Sequence, residues 1–153
     1  MNISPAHWHL LLNHFPVVLS ITGVLFIIAS LAVKKEYLKS GGIMILIVAA
    51  ILSWPAFETG KNAEEPVEEI AGISHEAIHT HERIANNGFR IMVATGIIAL
   101  ITLILVNRKN KAAKIFFILT LFAGLASAIY LSYVSYTGGE IRHTEIRGEF
   151  FGD

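Results

Sequence analysis

The chain has 153 residues, with twelve basic side chains, twelve acidic side chains and no cysteine, and 54% of its residues are hydrophobic. This hydrophobic content, with only 16% charged residues, is typical of membrane proteins and unusual for a soluble domain. The lack of cysteine excludes disulfides, thiolate metal ligands, iron–sulfur clusters and covalently attached haem. The sequence also has no phosphate-binding glycine loop and no patch suited to nucleic acid.

Four apolar runs predict four membrane-spanning helices, at about residues 15–33, 41–57, 89–106 and 115–137. Each run is near the roughly 20 residues that a helix needs to cross a bilayer. The connections after the first and third runs are short, so consecutive helices must be antiparallel. We therefore expect an all-α fold: an integral membrane four-helix antiparallel bundle, forming one domain over residues 1–153, with a short extramembrane helical segment between helices 2 and 3.

The distribution of basic residues predicts how the bundle is oriented. The two short connections carry seven of the twelve basic residues, namely Lys34, Lys35, Lys39, Arg108, Lys109, Lys111 and Lys114. By the positive-inside tendency these connections are cytoplasmic, and both termini are then periplasmic or extracellular. The N-terminal segment lacks a basic region and a small-residue cleavage pattern, so we interpret it as part of an uncleaved first span.

Capping residues and prolines predict the ends of the first two helices. Ser4 followed by Pro5 indicates that the first helix begins near residue 5, outside the membrane. Pro16 is expected to bend this helix near the membrane surface. Pro55 is expected to close the second apolar run, and the turn-like sequence ETGKN follows it.

The remaining boundaries are predicted in the same way. A short acidic helix is expected to begin near Pro66 and to end at Gly72. Ser74 is a suitable cap for a new helix that continues into the third span. Gly138 and Gly139 are expected to end the fourth helix and to let the C-terminal tail fold back over the bundle.

All the histidines lie in the segments predicted to be outside the membrane. The seven are His7, His9, His14, His75, His79, His81 and His143. Imidazole is the commonest metal ligand in proteins and the usual axial ligand of haem between membrane helices. Counting helix rise from the cytoplasmic ends places His14 deeper than the other N-terminal histidines. This pattern predicts a cofactor site near the outer face.

Small residues follow His81 along one line of its helix and recur on the fourth helix. The two lines consist of Ala85, Gly88, Met92 and Thr95, and of Gly124, Ser127, Ala128 and Ser135. Such residues leave room for a flat macrocycle between helices, but they also permit close helix packing. The sequence leaves both interpretations open.

Two metal-binding alternatives do not involve haem. The segment from His75 to His79 matches HExxH, in which two imidazoles bind Zn²⁺ and a glutamate acts as general base, here Glu76. Against a zinc hydrolase, the match lies in a histidine-rich acidic stretch and no substrate cleft is evident. The other alternative is a copper or zinc site formed by His75, His79, Glu82 and the N-terminal histidines.

Three short motifs resemble those of a family of small bacterial four-helix membrane proteins of unassigned function. The opening HWHLLLNHFPVVL, the central SHEAIHTHERIA and the exit YTGGEIRH carry the likeness, which extends over most of the chain. The matching positions are His14, Phe15, Pro16, His81, Glu82, Gly138, Gly139, Glu140, Arg142 and His143. Thr144 departs from the small residue expected after the last histidine. Such proteins look like b-type cytochromes of the bacterial inner membrane.

The resemblance implies that one or two b haems are bound near the outer face. It favours His14, His81 and His143 as iron ligands, with His7, His9 and His79 as further cofactor-binding candidates. Glu82 and Glu140 would be hydrogen-bond partners of the ligands, and Arg90 and Arg142 would pair with haem propionates. Electron exchange with a quinol or a periplasmic cytochrome would follow, in a homo-oligomer or as a subunit of a larger redox complex.

Overall fold

The computed structural model describes residues 4–68 and 74–142, and the regular structure in these ranges is entirely helical. The helices are α1 (Pro5–Leu12), α2 (His14–Val33), α3 (Glu36–Glu68), α4 (His75–Asn107) and α5 (Ala113–Arg142). In the bundle, α2 packs against α3 and α5, α4 packs against α3 and α5, and α1 lies against α3. The predicted all-α, four-helix bundle is confirmed, with α1 and α2 together forming its first long helix.

The first helix begins where the sequence predicted, but it is interrupted. The Ser4 side chain accepts a hydrogen bond from the backbone N–H of His7, and Pro5 is the first helical residue. The interruption falls at Asn13, between α1 and α2. Proline lacks an N–H and its ring clashes with the carbonyl four residues earlier. For Pro16 that carbonyl belongs to Leu12, so the helix breaks before the proline.

Helix α3 is much longer than its apolar run. It continues past Pro55, through the ETGKN sequence and through Pro66 to Glu68, so the predictions of a turn at ETGKN and of a new helix near Pro66 are wrong. The hydroxyl of Thr59 donates to the carbonyls of Pro55 and Ala56, at 2.7 and 3.1 Å, and so supports the turn after the first proline. Packing of α1 on this part of α3 adds contacts that a sequence pattern does not show. The extramembrane segment is helical as expected, but it is an extension of α3; Gly72 lies outside the described residues.

Helix α4 confirms one boundary prediction and α5 overturns another. The Ser74 side chain accepts from the N–H of Ala77, and α4 then runs without interruption to Asn107. Helix α5 does not end at Gly138 and Gly139 but continues to Arg142. A glycine weakens a helix without preventing it, and here one of the two contacts α4. The tail from residue 143 onward lies outside the described residues.

Small residues bring the helices into close contact. A Cβ added to Gly42 would lie 2.7 Å from the carbonyl oxygen of Gly23, and one added to Gly96 would overlap the side chain of Ala50. The predicted line of small residues on α4 packs directly on α5, where Gly88 meets Val134. Of the two interpretations of these lines, the structure therefore shows close helix packing.

Buried hydroxyl groups join α4 to α5 within this packed interior. Thr95 and Ser127 place their Oγ atoms 2.8 Å apart, and Thr102 and Thr120 place theirs 2.7 Å apart. The three threonine hydroxyl groups are also within reach of helix carbonyls; Thr102, for example, reaches those of Ile98 and Phe116. Polar pairs of this kind join helices where lipid tails supply no hydrophobic driving force between them.

The outer surface of the bundle is apolar. Large hydrophobic side chains are exposed along all four long helices, among them Leu25, Ile51, Ile97 and Phe122. Four helices are long and apolar enough to cross a membrane: Pro5–Val33, Glu36–Glu68, His75–Asn107 and Ala113–Ile141. A soluble protein would not expose this surface to water, so the structure indicates a multi-pass membrane protein.

Candidate cofactor site

The histidines of the described residues gather at one end of the bundle. They are His7 and His9 on α1, His14 at the start of α2, and His75, His79 and His81 in the first two turns of α4. The last turns of α3 and α5 reach the same end, because consecutive helices are antiparallel. Six of the seven histidines thus belong to helix ends on the same side of the bundle, while His143 lies outside the described residues.

The most enclosed of these histidines is His81. Its Nδ1 atom lies 3.0 Å from the hydroxyl oxygen of Thr137, which is buried on α5. The ring also lies against Gly138, where an added Cβ would stand 3.1 Å from Cε1. A glycine at this position therefore makes space for an imidazole from the neighbouring helix. Two motifs of the family resemblance thus contact each other through His81 on α4 and Thr137 and Gly138 on α5.

His9 has a similar environment on α3. Its Nδ1 atom lies 3.0 Å from the carbonyl oxygen of Ala56 on α3. The ring packs on Gly60 one turn later, where an added Cβ would stand 2.9 Å from Cε1. Helix α1, which begins after Ser4, carries this ring against α3.

The hydrogen-bond partners determine which nitrogen of each ring carries the proton. The carbonyl of Ala56 can only accept, so Nδ1 of His9 must donate to it. The Thr137 hydroxyl donates its single proton to the carbonyl of Val134 at 2.9 Å, so it accepts from Nδ1 of His81. In both neutral rings the lone pair is therefore on Nε2, the nitrogen that can bind a metal.

The charged forms of these two imidazoles would repel each other, and those of His9 and His14 would do the same. Within residues 4–68 and 74–142 no hydrogen bond involves Nε2 of His9 or His81. Two Nε2 lone pairs from opposite halves of the bundle are thus available at one end of it.

The other predicted ligands are in more exposed positions than His9 and His81, or lie outside the described residues. His14 is exposed at the start of α2, and His7 is exposed on α1. His14 as a haem ligand stays a prediction, and so does His143. The sequence singled out His81 as a ligand, but it ranked His9 below His14 and gave no signal for Ala56 or Thr137 as partners.

Four charged residues were predicted to lie beside a haem, and the structure shows where each lies on its helix. Glu82 is half-buried on α4, and Glu140 lies on α5, where it lines a small open cleft together with Glu76 and Thr137. Arg90 is exposed on α4, about two and a half turns after His81. Arg142 lies in α5 at the end of the described range. Their roles beside a haem stay predictions.

The two histidines of the HExxH segment contact carboxylates of α3, which the sequence pattern did not predict. His79 lies between Glu64 and Glu68 of α3, and His75 lies beside Glu68. Among the described residues, a group suited to a metal ion is formed by Glu64, Glu68 and His79, without Glu82. Glu76, the general base of a hydrolase, instead faces the open cleft. The sequence could have indicated these partners only if α3 had been expected to continue past Pro55. Glu64 and Glu68 would then have been recognised as neighbours on one face of that helix.

Fold and site together define a small four-helix membrane protein with imidazoles concentrated at one end. No protein family, curated protein or solved structure matches the chain in the comparisons made. The chemistry of the site must therefore be inferred from the residues themselves.

Proposed function

We propose that this protein is a membrane-bound b-type cytochrome in which His9 and His81 would hold the iron of a haem. The observation that carries the proposal is the shared environment of these rings. In each, Nδ1 donates to a neighbouring helix, Nε2 keeps its lone pair, and a glycine makes space for the imidazole.

This environment fits what haem iron requires of its ligands. A six-coordinate b haem takes two neutral imidazoles from different helices. A hydrogen bond from the second ring nitrogen fixes the orientation of the ring and increases its basicity as a ligand. His9 obtains this bond from α3 and His81 obtains it from α5, so each half of the bundle holds one ligand in place.

The proposed chemistry is one-electron transfer, which the haem supplies when bound. The contribution of the chain is to hold the imidazoles and to set the local polarity. Because the site lies at one end of the bundle, electrons would be exchanged there, with a quinol in the membrane or with a periplasmic carrier. His14 and His143, which the family resemblance favours, are the candidates for ligands of a second haem.

An absorption spectrum of the purified protein tests the proposal. We expect a Soret band, with sharp α and β bands on dithionite reduction, in protein expressed with sufficient haem. His9→Ala and His81→Ala should each greatly reduce the bound haem, whereas His7→Ala, which changes an exposed histidine of the same helix end, should not. Protein that is folded and haem-free under these conditions would refute the function. Full retention of haem in both variants, with loss in His14→Ala or His143→Ala, would refute this choice of ligands.

A further inference from the structure

A second cluster of ligand-type side chains lies at the same end, where the last turns of α3 meet the first turns of α4. Glu64 and Glu68 are separated by four residues on α3, and His75 and His79 are separated by four residues on α4. Residues four apart lie on the same face of a helix. In the antiparallel pair Glu64 faces His79 and Glu68 faces His75, so both pairs fall in one register.

The distances within the cluster are longer than hydrogen bonds. The Nδ1 atom of His79 lies 3.4 Å from Oε1 of Glu64, and its Nε2 atom lies 3.7 Å from Oε1 of Glu68. The Nδ1 atom of His75 lies 3.5 Å from the same Glu68 oxygen. Hydrogen bonds between N–H and oxygen are about 2.7 to 3.2 Å long. Four ligands at about 2.1 Å from a tetrahedral Zn²⁺ are separated by about 3.4 Å.

An independent observation points to the same position. Within residues 4–68 and 74–142 the Oε1 atom of Glu68 is buried and accepts no hydrogen bond, although imidazole nitrogens of His75 and His79 lie 3.5 and 3.7 Å from it. A buried carboxylate oxygen without a hydrogen bond is unfavourable, because these longer contacts replace only part of what it has lost in water. A cation at this point would give this oxygen a close partner.

We propose that Glu64, Glu68 and His79 form a binding site for one Zn²⁺ ion that joins α3 to α4, with His75 beside Glu68 at the edge of the site. An imidazole together with two carboxylates is a ligand set that suits Zn²⁺, whereas Mg²⁺ and Ca²⁺ prefer oxygen alone. Among the described residues, Glu64, Glu68 and His79 offer ligand atoms that all lie within 4.8 Å of one another. The side chains of His75 and His79 are 65% and 64% exposed, so the ion can enter from solvent. The site is separate from the proposed haem ligands and does not depend on them.

Zinc titration of the full chain tests this site. The protein should carry an affinity tag without histidine and should be stripped of metal with a chelator before Zn²⁺ is titrated by calorimetry. We expect one ion per chain, and Co²⁺ in its place should give the intense visible bands of a tetrahedral site. Glu64→Gln, Glu68→Gln and His79→Ala should each weaken Zn²⁺ binding by at least about tenfold, since even residues behind the ligands contribute that much.

Matched controls distinguish this site from scattered surface histidines. Glu65→Gln changes an exposed glutamate of the same helix turn, and His7→Ala changes an exposed histidine at the same end; neither should alter zinc affinity. Unchanged affinity in His79→Ala, or in both glutamine variants, would refute the proposal, as would the absence of a stoichiometric site in the wild-type chain. Circular dichroism of each variant shows that the helices are intact, and the Soret band measured on the same samples reports the haem site separately.

Discussion

His81 and Thr137 join α4 to α5 at the histidine-rich end through a contact of 3.0 Å between Nδ1 and Oγ1. The threonine hydroxyl donates to the carbonyl of Val134, so it receives the imidazole proton. One hydroxyl group thus fixes both the orientation of the ring and the position of its lone pair.

This contact predicts different effects for two substitutions of the threonine. Thr137→Val removes the acceptor but keeps the shape, so we expect a lower haem content and a higher midpoint potential, because the imidazole becomes a weaker donor to iron. Thr137→Ser keeps the hydroxyl and should behave like the wild-type protein. A redox titration followed in the Soret region measures both effects. If the valine variant matched the wild type in potential and haem content, the hydrogen bond would have no role in holding a ligand.

A second prediction concerns the glycine beneath His9. Gly60→Ala would place Cβ 2.9 Å from Cε1 of the imidazole, so the ring must move and the bound haem should decrease. Gly41→Ala is the matched control, because its Cβ would lie at an ordinary 3.6 Å from the ring of Phe26. Equal haem content in the two variants would show that the position of the His9 ring is unimportant.

A third prediction concerns the buried hydroxyl pair between α4 and α5. A double-mutant cycle with Thr95→Val and Ser127→Ala should give a coupling free energy of about 0.6 kcal/mol and no more than about 1.7 kcal/mol, the range found for hydrogen bonds between membrane helices. Reversible unfolding in mixed detergent micelles provides the measurement. Thr22, whose hydroxyl bonds only within its own helix, supplies a control cycle with Ser127. A coupling free energy in the control cycle as large as that between Thr95 and Ser127 would contradict a specific contact between these two hydroxyl groups.

The orientation in the membrane can be tested because the chain has no native cysteine. Asn62 is exposed at the histidine-rich end of α3, and Lys111 is exposed in the connection between α4 and α5. If the basic connections are cytoplasmic, a membrane-impermeant thiol reagent should label Asn62→Cys in intact spheroplasts. It should label Lys111→Cys only after lysis. The opposite pattern would invert the topology and place the histidines on the cytoplasmic side.

Much of the fold follows from local sequence features. Apolar runs of sufficient length predict four spans, and short connections predict antiparallel neighbours. Ser4 and Ser74 begin helices because their side chains accept hydrogen bonds from the first turn, an interaction within a few residues of sequence. The same local signals failed at ETGKN and Pro66, since packing and side-chain hydrogen bonds support the helix there.

The candidate sites were predictable only in part. The sequence shows that histidines are concentrated in the segments at one end, because span boundaries alone decide which segments lie together. It cannot show that His9 approaches Ala56 or that Glu64 faces His79, because both depend on how one helix packs against another. Close contacts such as Gly96 with Ala50, between α4 and α3, contribute to that register. Hydropathy thus determined the bundle and the end that bears the histidines, whereas tertiary packing decided which imidazoles and carboxylates meet.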